Sequence, residues 1–488
     1  MARSRGSGSL VLPGVTGSED LVNAIIDRIA DGVLVDGDTI PSSRALAQQT
    51  GLSRGTVVRA FDELAAAGFV SAEHGSGTKV SAGATQAARA GARTRGRGVP
   101  QTRGVVAPRR GRSRRDLRPG VPDATLVDDQ AWRRAVRAAA SAGLSGLNPW
   151  DEPSPALQAA LAVHLRRHRG LSAAEPLLFD SSRSSIAALC WAFSTSRSDG
   201  RTPSQIQFHI EDPGYRGALL MAREQGLDVR FHPADPDGMD ASRLGDEPGI
   251  VFITPAHQYP LGHRMSVDRR VALVEWARRT GSLIVEDDYD GEFRYGVAPL
   301  PALATLPGGR EHVAYVGTSS KSVSPDLRVA WCLPPGELTR DVQRWLAVHR
   351  RGPSALPADA LAEFITSGAM DRHLARAARV YSDRRSKLVA ALAEACPDLE
   401  VTGVEAGLHL CVLLTDYDDE SIVAALEATG WRTRSLSSQS AERRVSGLVL
   451  NYARLTGRDA VEFAHTLGEI LVHHRPRKPP SMPPTPAS

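Results

Sequence analysis

Four apolar segments, each followed at once by a polar loop, constrain the fold of this chain more than any other feature. They are IQFHIEDPGY (206–215), GIVFITPAHQYPLG (249–262), GSLIVEDDYDGEFRY (281–295) and AYVGTSSKSVSPDLRVAW (314–331). Short apolar runs that break into polar residues are typical of buried parallel strands, and open α/β sheets bind ligands at the carboxyl edge of such strands. The pattern therefore predicts an α/β domain with a ligand site at that edge.

The last of these loops holds a lysine among hydroxyl side chains, in the string GTSSK that ends at Lys321. A lysine fixed on rigid elements can form a Schiff base with an aldehyde cofactor, whereas an isolated lysine of this kind is usually an ordinary solvated residue. The hydroxyls of Thr318 and Ser320 and the guanidinium of Arg328 suit a phosphate group. An aspartate at the end of the preceding strand can pair with a protonated pyridine nitrogen.

The order of the motifs EDPGY, TPAHQYPLG, EDDYDGEFRY and GTSSK, followed by Arg328, resembles that of the fold-type I pyridoxal-phosphate (PLP) enzymes, the aspartate aminotransferase family. The resemblance covers about residues 116–474. It implies an α/β domain with a mixed, mostly parallel sheet and pyridoxal 5'-phosphate as the cofactor, with Lys321 as the Schiff-base lysine.

The same resemblance implies roles for further residues of these motifs. Asp287 would pair with the pyridine nitrogen, and Asp288 is the competing candidate, because side chains alternate along a strand end and only one can face the ring. Tyr289 would donate to the phenolic oxygen, and Tyr215 would stack on the ring face. The remaining implied contacts, most of them to the phosphate, are Ser182, Arg183, Ser184, Gln258, Thr318, Ser320 and Arg328.

Residues 18–81 predict three helices followed by two short strands. Ser42 or Ser43 can cap the second helix and Ser53 the third, and Gly51 permits the sharp turn between them. This arrangement is typical of a helix-turn-helix followed by a hairpin wing. Polar side chains at the start of the third helix then face outward, as they do in a recognition helix that contacts base edges and phosphates.

The string PSSRALAQQTGLSRGTVVRAFDELAAAGFV, followed by GSGT, resembles the GntR family of winged-helix regulators. The resemblance implies a winged helix-turn-helix domain over residues 16–82 that binds double-stranded DNA. A small helical docking domain with solvated arginines is the alternative interpretation. The implied DNA contacts are Ser43, Arg44, Ser53, Arg54, Thr56, Arg59, His74, Gly75, Ser76 and Gly77.

The net charge of +4 conceals an asymmetry along the chain. Residues 83–115 contain ten arginines and no acidic residue, so the rest of the chain carries a net charge near −6. This segment is rich in Gly, Ala, Arg and Pro and lacks periodic apolar residues, which predicts a flexible tether. It either solubilises the chain or binds the DNA backbone, and the two roles are compatible. The proline-rich residues 475–488 predict a disordered tail.

Several classes of protein are disfavoured by what the chain lacks. No apolar run approaches the ~18 residues of a membrane span, and the N-terminal residues have no continuous apolar stretch of the kind that a secretory signal contains. The four cysteines are scattered without C-x-x-C spacing, so metal binding is not expected. These observations predict a cytoplasmic protein without a membrane partner, and the GntR resemblance implies a bacterial one, associated with the nucleoid.

A GntR-type domain, a long linker and an aminotransferase-like domain together resemble the MocR-type (GabR-like) transcription regulators. The resemblance implies a homodimer, arranged head-to-tail, whose large domain senses an amine, an amino acid or PLP itself rather than serving primarily as a catalyst. Two alternatives remain open. One is an active PLP-dependent aminotransferase with an accessory DNA-binding domain, and the other is a regulator whose large domain no longer binds PLP.

Three departures from the family pattern favour a sensor over a transaminase. Residues 182–184 replace a Gly-x-Gln turn, although backbone N–H groups at this helix start can still bind phosphate. Asn148 replaces an aromatic residue that reaches into a partner's site, and Gly217 replaces an arginine of GABA-responsive members. The string GLVLNYARL also lacks arginine where aminotransferases bind the substrate carboxylate, and Arg434 and Arg454 are candidate substitutes. Catalysis needs a substrate held within fractions of an Å, whereas sensing needs only ~1–3 kcal/mol of differential binding.

Overall fold

The chain forms two compact units, Met1–Arg112 and Ser113–Ser488, each with its own hydrophobic core. No helix in the described part of the chain is long and apolar enough to span a bilayer. The predicted tail, 475–488, lies outside the described residues. The computed structural model describes residues 10, 12, 14–73, 77–96, 115–141, 154–171, 175–196, 200–296, 300–442 and 445–474.

The N-terminal unit contains helices packed beside a small antiparallel sheet. Its described elements are helices α1 (Ser18–Ala30), α2 (Ser43–Thr50), α3 (Arg54–Ala66) and α4 (Ala84–Gly96) and strands β1 (Thr39–Ile40), β2 (Val70–Glu73) and β3 (Gly77–Val80). The central strand β3 pairs with β1 and with β2, so the order is β1–β3–β2. The predicted three helices and two-stranded wing are therefore present.

The turn between α2 and α3 is fixed by local capping. Ser42 is the serine that caps α2, because its Oγ accepts a hydrogen bond from the backbone N–H of Ala45 at 3.3 Å. The Oγ of Ser53 accepts from the N–H of Thr56 at 3.1 Å and caps α3. Gly51 ends α2 with φ +75°, a left-handed conformation that favours glycine. The helix-turn-helix that the spacing predicted is formed by these contacts.

Helix α4 corrects the prediction of a flexible tether from residue 83 onward. Ala84 and Ala88 are 4% and 1% exposed and belong to the same core as the apolar face of α1. The Asp36 carboxylate accepts the backbone N–H of Thr85 at 2.9 Å, which fixes the start of the helix. Alanines four residues apart lie on one helix face and permit close packing against α1. The rest of the predicted tether, residues 97–114, lies outside the described residues.

The large unit is built on a seven-stranded sheet. Its strands are β4 (Leu177–Phe179), β5 (Gln207–Asp212), β6 (Asp228–Pro233), β7 (Gly249–Ile253), β8 (Leu283–Asp287), β9 (Val313–Thr318) and β10 (Ala330–Leu333). They lie in the order β4–β10–β9–β8–β7–β5–β6. The five strands from β9 to β6 are parallel, and β10 is antiparallel to both of its neighbours. This is the predicted mixed, mostly parallel sheet.

Helices cover both faces of this sheet. The described helices of the large unit are α5 (Asp129–Ala140), α6 (Pro155–Arg169), α7 (Ser182–Thr195), α8 (Arg216–Glu224), α9 (Val267–Thr280), α10 (Gly309–His312), α11 (Ser319–Ser322), α12 (Gly336–His349), α13 (Ala355–Thr366), α14 (Ala369–Ala395), α15 (Asp419–Ala428) and α16 (Gly457–His473). Side chains of β7 and β8 alternate between the faces: Phe252 and Val285 share a core with α7 and α12, and Val251 and Ile284 share one with α9.

A second sheet lies in the C-terminal part of the large unit. Its strands, in spatial order, are β11 (Val401–Thr402), β12 (His409–Leu413), β14 (Gly447–Asn451) and β13 (Arg434–Ser435). All of its pairings are antiparallel, and α14 and α16 pack together beside it around the buried Trp431 and Phe463. This sheet brings His409, at the start of β12, to the carboxyl edge of the main sheet, where the candidate site lies.

Candidate functional site

The carboxyl ends of β5, β7, β8 and β9 meet along one edge of the main sheet, and a cavity of about 1000 Å³ opens there. This is the edge at which the apolar-to-polar transitions in the sequence predicted a ligand site. Ten of the eleven predicted cofactor residues line the cavity. They are Ser182, Arg183, Ser184, Tyr215, Asp287, Tyr289, Thr318, Ser320, Lys321 and Arg328.

Lys321 lies on α11, the short helix that follows the buried strand β9. The Thr318 hydroxyl accepts the N–H of Ser320 at 3.1 Å and so fixes the start of this helix. The ammonium Nζ donates to the carbonyl oxygen of Gly120 at 3.0 Å. Burial lowers the pKa of Lys321, and the nearby carboxylates of Asp287 and Asp290 oppose that shift. A lowered pKa raises the fraction of lysine in the neutral amine form, which is the form that attacks a carbonyl group.

Asp287 and Asp288 occupy opposite environments. The Oδ2 of Asp288 lies 2.6 Å from Arg169 Nε and accepts the hydroxyl of Tyr315 at 2.7 Å. Asp287 lines the cavity instead, and its Oδ1 is buried without a hydrogen-bond partner among the described residues. Burial, and then the charge of Asp288, raise the pKa of Asp287 to about 7. Of the two candidates for a ring nitrogen, Asp287 is therefore the carboxylate that faces the cavity.

Gln258 is the predicted cofactor residue that does not line the cavity, and its side chain braces a loop instead. Its Nε2 donates to the carbonyl oxygens of Pro213 at 3.0 Å and Tyr259 at 2.9 Å, and its Oε1 accepts the N–H of Leu261 at 3.0 Å. These backbone groups occupy most of the donor and acceptor capacity of the amide. The structure therefore does not bring the Gln258 amide together with the other ten predicted residues.

Three tyrosines form an aromatic wall in the cavity. Tyr259 makes edge-on contacts with Tyr215 and with Tyr289, at 6.1 Å between ring centroids in each case. The Tyr289 hydroxyl donates to the carbonyl oxygen of His257 at 3.0 Å, and the Tyr215 hydroxyl accepts from Arg183 Nε at 3.4 Å. Sequence reasoning missed Tyr259, although its place at the tip of the second polar loop was a usable signal.

A buried polar cluster that sequence reasoning also missed supports this wall. The Nδ1 of His257 lies 2.9 Å from Asp290 Oδ2, and the rings of His257 and His409 are 4.9 Å apart. Burial, and then the neighbouring His257, lower the pKa of His409 to about 3, so its imidazole is neutral at physiological pH. Asp290 and His409 both line the cavity. Asp290 lies in the loop after β8 and His409 lies at the start of β12, whereas Lys321 lies on α11.

The start of α7 forms another side of the cavity. The Oγ of Ser181 accepts the N–H of Ser184 at 3.3 Å and caps this 14-residue helix. The N-terminus of a helix presents unpaired N–H groups and a positive dipole end, which suit an anion. Arg328, from the loop after α11, and Arg351, after α12, also line this part of the cavity. The serines that replace the Gly-x-Gln turn thus keep a site with anion-binding character.

Beyond the turn at 182–184, the structure describes Gly217 and the two candidate substitutes for the missing arginine. A Cβ at Gly217 would lie 2.3 Å from the Tyr215 ring, so a side chain at this position is excluded while Tyr215 keeps its place. Neither Arg434 nor Arg454 lines the cavity. Asn148 lies outside the described residues. Among the described residues, the arginines that reach the cavity are Arg183, Arg328 and Arg351, all on the side of α7 and the loops beside it.

The predicted DNA contacts of the N-terminal unit lie on one helix-turn-helix and its wing. Arg44, on α2, and Arg54 and Arg59, on α3, are exposed. Ser43 and Thr56 are half-buried, and the Ser53 and Thr56 hydroxyls lie 2.8 Å apart at the start of α3. Gly77 begins β3 with φ +85°. His74, Gly75 and Ser76, at the predicted wing tip, lie outside the described residues.

Two family models match the chain. The model described as "Bacterial regulatory proteins, gntR family" matches residues 18–80, and the model described as "Aminotransferase class I and II" matches residues 126–441. The second match spans well over half of the chain. Together they cover the winged helix-turn-helix and most of the unit that holds the cavity.

Curated relatives share both parts. The chain is similar to the "HTH-type pyridoxine biosynthesis transcriptional regulator PdxR" of Corynebacterium glutamicum, with 31% identity over 86% of this chain and 87% of the relative. It is also similar to the "Probable rhizopine catabolism regulatory protein MocR" of Rhizobium meliloti, with 30% identity over 90% of each chain. A solved structure, the multiple substrate aminotransferase from Thermococcus profundus, is similar with a TM-score of 0.65, at 22% identity over 74% of this chain and 91% of that chain.

One polypeptide thus contains a winged helix-turn-helix unit and a fold-type I aminotransferase-like unit, and the second unit holds the cavity. A chain with this combination is a DNA-binding transcription regulator. It belongs to the MocR-type group of the GntR family, and its large unit belongs to the aminotransferase class I and II family.

Proposed function

We propose that the cavity of the large unit binds PLP and that the protein responds to PLP, or to an amine or amino acid that reacts with it, by changing its affinity for double-stranded DNA. The observation that carries this proposal is the buried, unpartnered Oδ1 of Asp287 in the same cavity as Lys321. A carboxylate oxygen without a donor is costly in a protein interior. The protonated ring nitrogen of PLP is a donor of the right chemistry.

PLP supplies, when it is bound, an aldehyde that reacts with amines and a ring that acts as an electron sink. Lys321 is the amine of this chain that is placed to react with the aldehyde, and its lowered pKa increases the neutral fraction. Asp287 would hold the proton on the ring nitrogen. The Tyr289 hydroxyl, which donates to the His257 carbonyl here, would donate to the phenolic oxygen, and Tyr215, which lines the cavity, would cover one face of the ring.

The phosphate group fits the side of the cavity formed by α7 and the loop around α11. The hydroxyls of Thr318 and Ser320, the guanidinium of Arg328 and the start of α7 at 182–184 are its proposed ligands. Helix N-termini and charge-assisted hydrogen bonds from arginine are the strong phosphate-binding groups of proteins. Residues from four separate segments would therefore contact the aldehyde, the ring nitrogen, the phenolic oxygen and the phosphate of one cofactor.

Sensing, rather than turnover, is favoured by the distribution of positive charge. A transaminase holds the carboxylate of its substrate with a fixed cation, but a side chain at position 217 would displace the Tyr215 ring, and Arg434 and Arg454 do not line the cavity. Catalysis of amino-group transfer is the second candidate function, and the presence of Lys321 and a facing Asp287 supports it. Release of keto acid from an amino donor at ordinary enzyme rates would favour that candidate.

We further propose that the protein acts as a head-to-tail homodimer in the bacterial cytoplasm, at the nucleoid. A dimer of winged helices binds two half-sites, which raises both affinity and specificity. The exposed Arg44, Arg54 and Arg59 supply contacts to phosphates and base edges.

The test is a DNA titration followed by fluorescence anisotropy, with and without PLP, using a duplex that the wild-type chain selects from a random-sequence pool. We expect PLP to change the affinity by about 5- to 150-fold, the usual range of coupling between two sites, and Lys321→Ala to remove the response while retaining DNA binding. An unchanged affinity with PLP bound would contradict a sensing role. DNA binding that responds to PLP equally in Lys321→Ala would contradict the role of the lysine.

A further inference from the structure

A carboxylate, Asp180, lies directly behind the anion-binding side of the cavity. It follows β4, and its side chain is 16% exposed. Its Oδ2 lies 3.4 Å from Arg328 Nη2 and 3.4 Å from Arg351 Nη1. Its Oδ1 accepts hydrogen bonds from the hydroxyls of Ser181, at 3.0 Å, and Ser184. Asp180 does not line the cavity, but all four of these partners do.

Two of these partners, Arg328 and Ser184, are among the phosphate ligands proposed above, and Arg351 shares the Asp180 oxygen with Arg328. With Asp180 ionised, Arg328, Arg351 and Asp180 together carry one net positive charge rather than two. A phosphate ester at this side of the cavity would therefore meet half the cationic charge that the two arginines supply alone. The hydroxyl of Ser184 is also directed to the carboxylate, so its proton is not offered to the cavity.

Two opposite effects of Asp180 on phosphate binding have to be weighed. A carboxylate that holds a guanidinium in a short, bidentate pair preorganises it and strengthens anion binding. Here both contacts are 3.4 Å long and share one oxygen, and the Arg328 and Arg351 side chains are 63% and 56% exposed. Contacts of this kind hold the arginines weakly. The repulsion between the Asp180 carboxylate and a bound phosphate does not depend on such alignment. It therefore outweighs the weak orienting effect of Asp180 on the two arginines.

We propose that Asp180 is an internal counter-anion that weakens phosphate binding in this cavity, so that the bound phosphorylated ligand exchanges readily with solution. This inference rests on the proposed function, because it treats the phosphate of PLP as the ligand of this side of the cavity. When the site is empty, Asp180 holds Arg328 and Arg351, and when it is filled the two arginines turn to the phosphate. Occupancy then follows the concentration of the free ligand, which a site saturated at every concentration cannot do.

The test uses Asp180→Asn, which removes the charge and keeps the shape and a hydrogen-bond acceptor for Ser184. Asp326→Asn is the matched control, because it makes the same change in net charge at an exposed residue that lies two positions from Arg328. Dissociation constants are measured in the full chain for PLP, for inorganic phosphate and for pyridoxal, which lacks the phosphate. The rate of PLP release is measured by dilution into excess apo-aminotransferase as a scavenger.

We expect Asp180→Asn to bind PLP and inorganic phosphate about tenfold more tightly than the wild type, with slower PLP release and no change for pyridoxal. Asp326→Asn should match the wild type. Unchanged or weaker phosphate binding in Asp180→Asn, with PLP still bound in the wild type, would overturn the inference and would favour an orienting role. Tighter inorganic phosphate without any binding of PLP would uphold the inference about Asp180 while contradicting the proposed function.

A purely structural role for Asp180 is separated by thermal unfolding of the same variants. A carboxylate next to a helix start stabilises the helix, so Asp180→Asn is expected to lower the melting temperature slightly. Should the asparagine variant fail to fold, Asp180→Ser, whose hydroxyl still accepts from Ser184, replaces it in the same binding series. Equal phosphate affinity in the wild type and in this variant would likewise overturn the inference.

Discussion

Asp287 and Asp288 show at the scale of single residues how environment separates two identical side chains. Asp288 is paired with Arg169 and Tyr315 in the interior, whereas Asp287 lines the cavity. In each of the two carboxylates, Oδ1 has no hydrogen-bond partner among the described residues. The sequence left the choice between them open because both partners of Asp288 are distant along the chain. Arg169 is more than a hundred positions away, and Tyr315 lies on the next strand, β9. The alternation of side chains along a strand end implies only that the two aspartates face opposite sides.

Substitution of each aspartate by asparagine should therefore have opposite effects on the free energy of unfolding. Asp288→Asn leaves the Arg169 guanidinium, 5% exposed, without its counter-charge and should cost roughly 3–5 kcal/mol. Asp287→Asn removes a carboxylate that has no donor and should leave stability unchanged or raised at pH 8. Urea unfolding at pH 8 measures both, and equal losses in the two variants would contradict these assignments.

Asp287 also gives stability a pH dependence of unusual sign. Burial raises its pKa from the ordinary value to about 7, so between about pH 4 and pH 7 the folded chain holds a proton that the unfolded chain has lost. Its contribution therefore falls as the pH rises through this window, by up to ~1.4 kcal/mol per pH unit, and is constant above it. The difference between wild type and Asp287→Asn, from urea unfolding at pH 4.5 to 8, should show this slope. Parallel profiles would contradict the raised pKa.

At the scale of secondary-structure elements, sequence reasoning succeeded where the signal was local. The caps Ser42 and Ser53, and the apolar runs that end in polar loops, predicted the helix-turn-helix and the strands that carry the cavity. It failed for α4, because alanines on an arginine-rich background do not register as a periodic apolar face. It also gave no sign that the Gln258 amide would bind backbone groups instead of lining the cavity, because only the folded chain brings those groups to it.

The packing of α4 predicts that the apparent linker contributes to the stability of the N-terminal unit. Ala88→Glu places a charge at a site that is 1% exposed and should cost about 3 kcal/mol or more, with a lower DNA affinity as the unit unfolds. Ala87→Glu is the matched control, since Ala87 is exposed on the same helix. Calorimetry and DNA anisotropy on both variants provide the measurement. Identical behaviour of the two would argue that α4 does not pack on α1.

At the scale of the whole molecule, the parallel sheet explains why residues far apart along the chain could be assigned to one site from the sequence alone. The carboxyl ends of parallel strands meet at one edge, so ten predicted residues line a single cavity. Two of the contributions that were missed come from parts of the chain other than the parallel strands and their loops. Gly120, at the start of the large unit, accepts from Lys321 across 201 positions, and His409 arrives from the second sheet. Neither long-range approach has a periodic signal in the sequence.

The central claim, that Lys321 is the residue through which the large unit binds PLP, is tested most directly by covalent trapping. The full chain is incubated with PLP, reduced with borohydride, digested and examined by mass spectrometry, beside Lys321→Ala and the exposed control Lys387→Ala. We predict one reduced pyridoxyl-phosphate group on the peptide that contains Lys321, in the wild type and in Lys387→Ala, and none in Lys321→Ala. Labelling spread over surface lysines, or persisting in Lys321→Ala, would contradict the account.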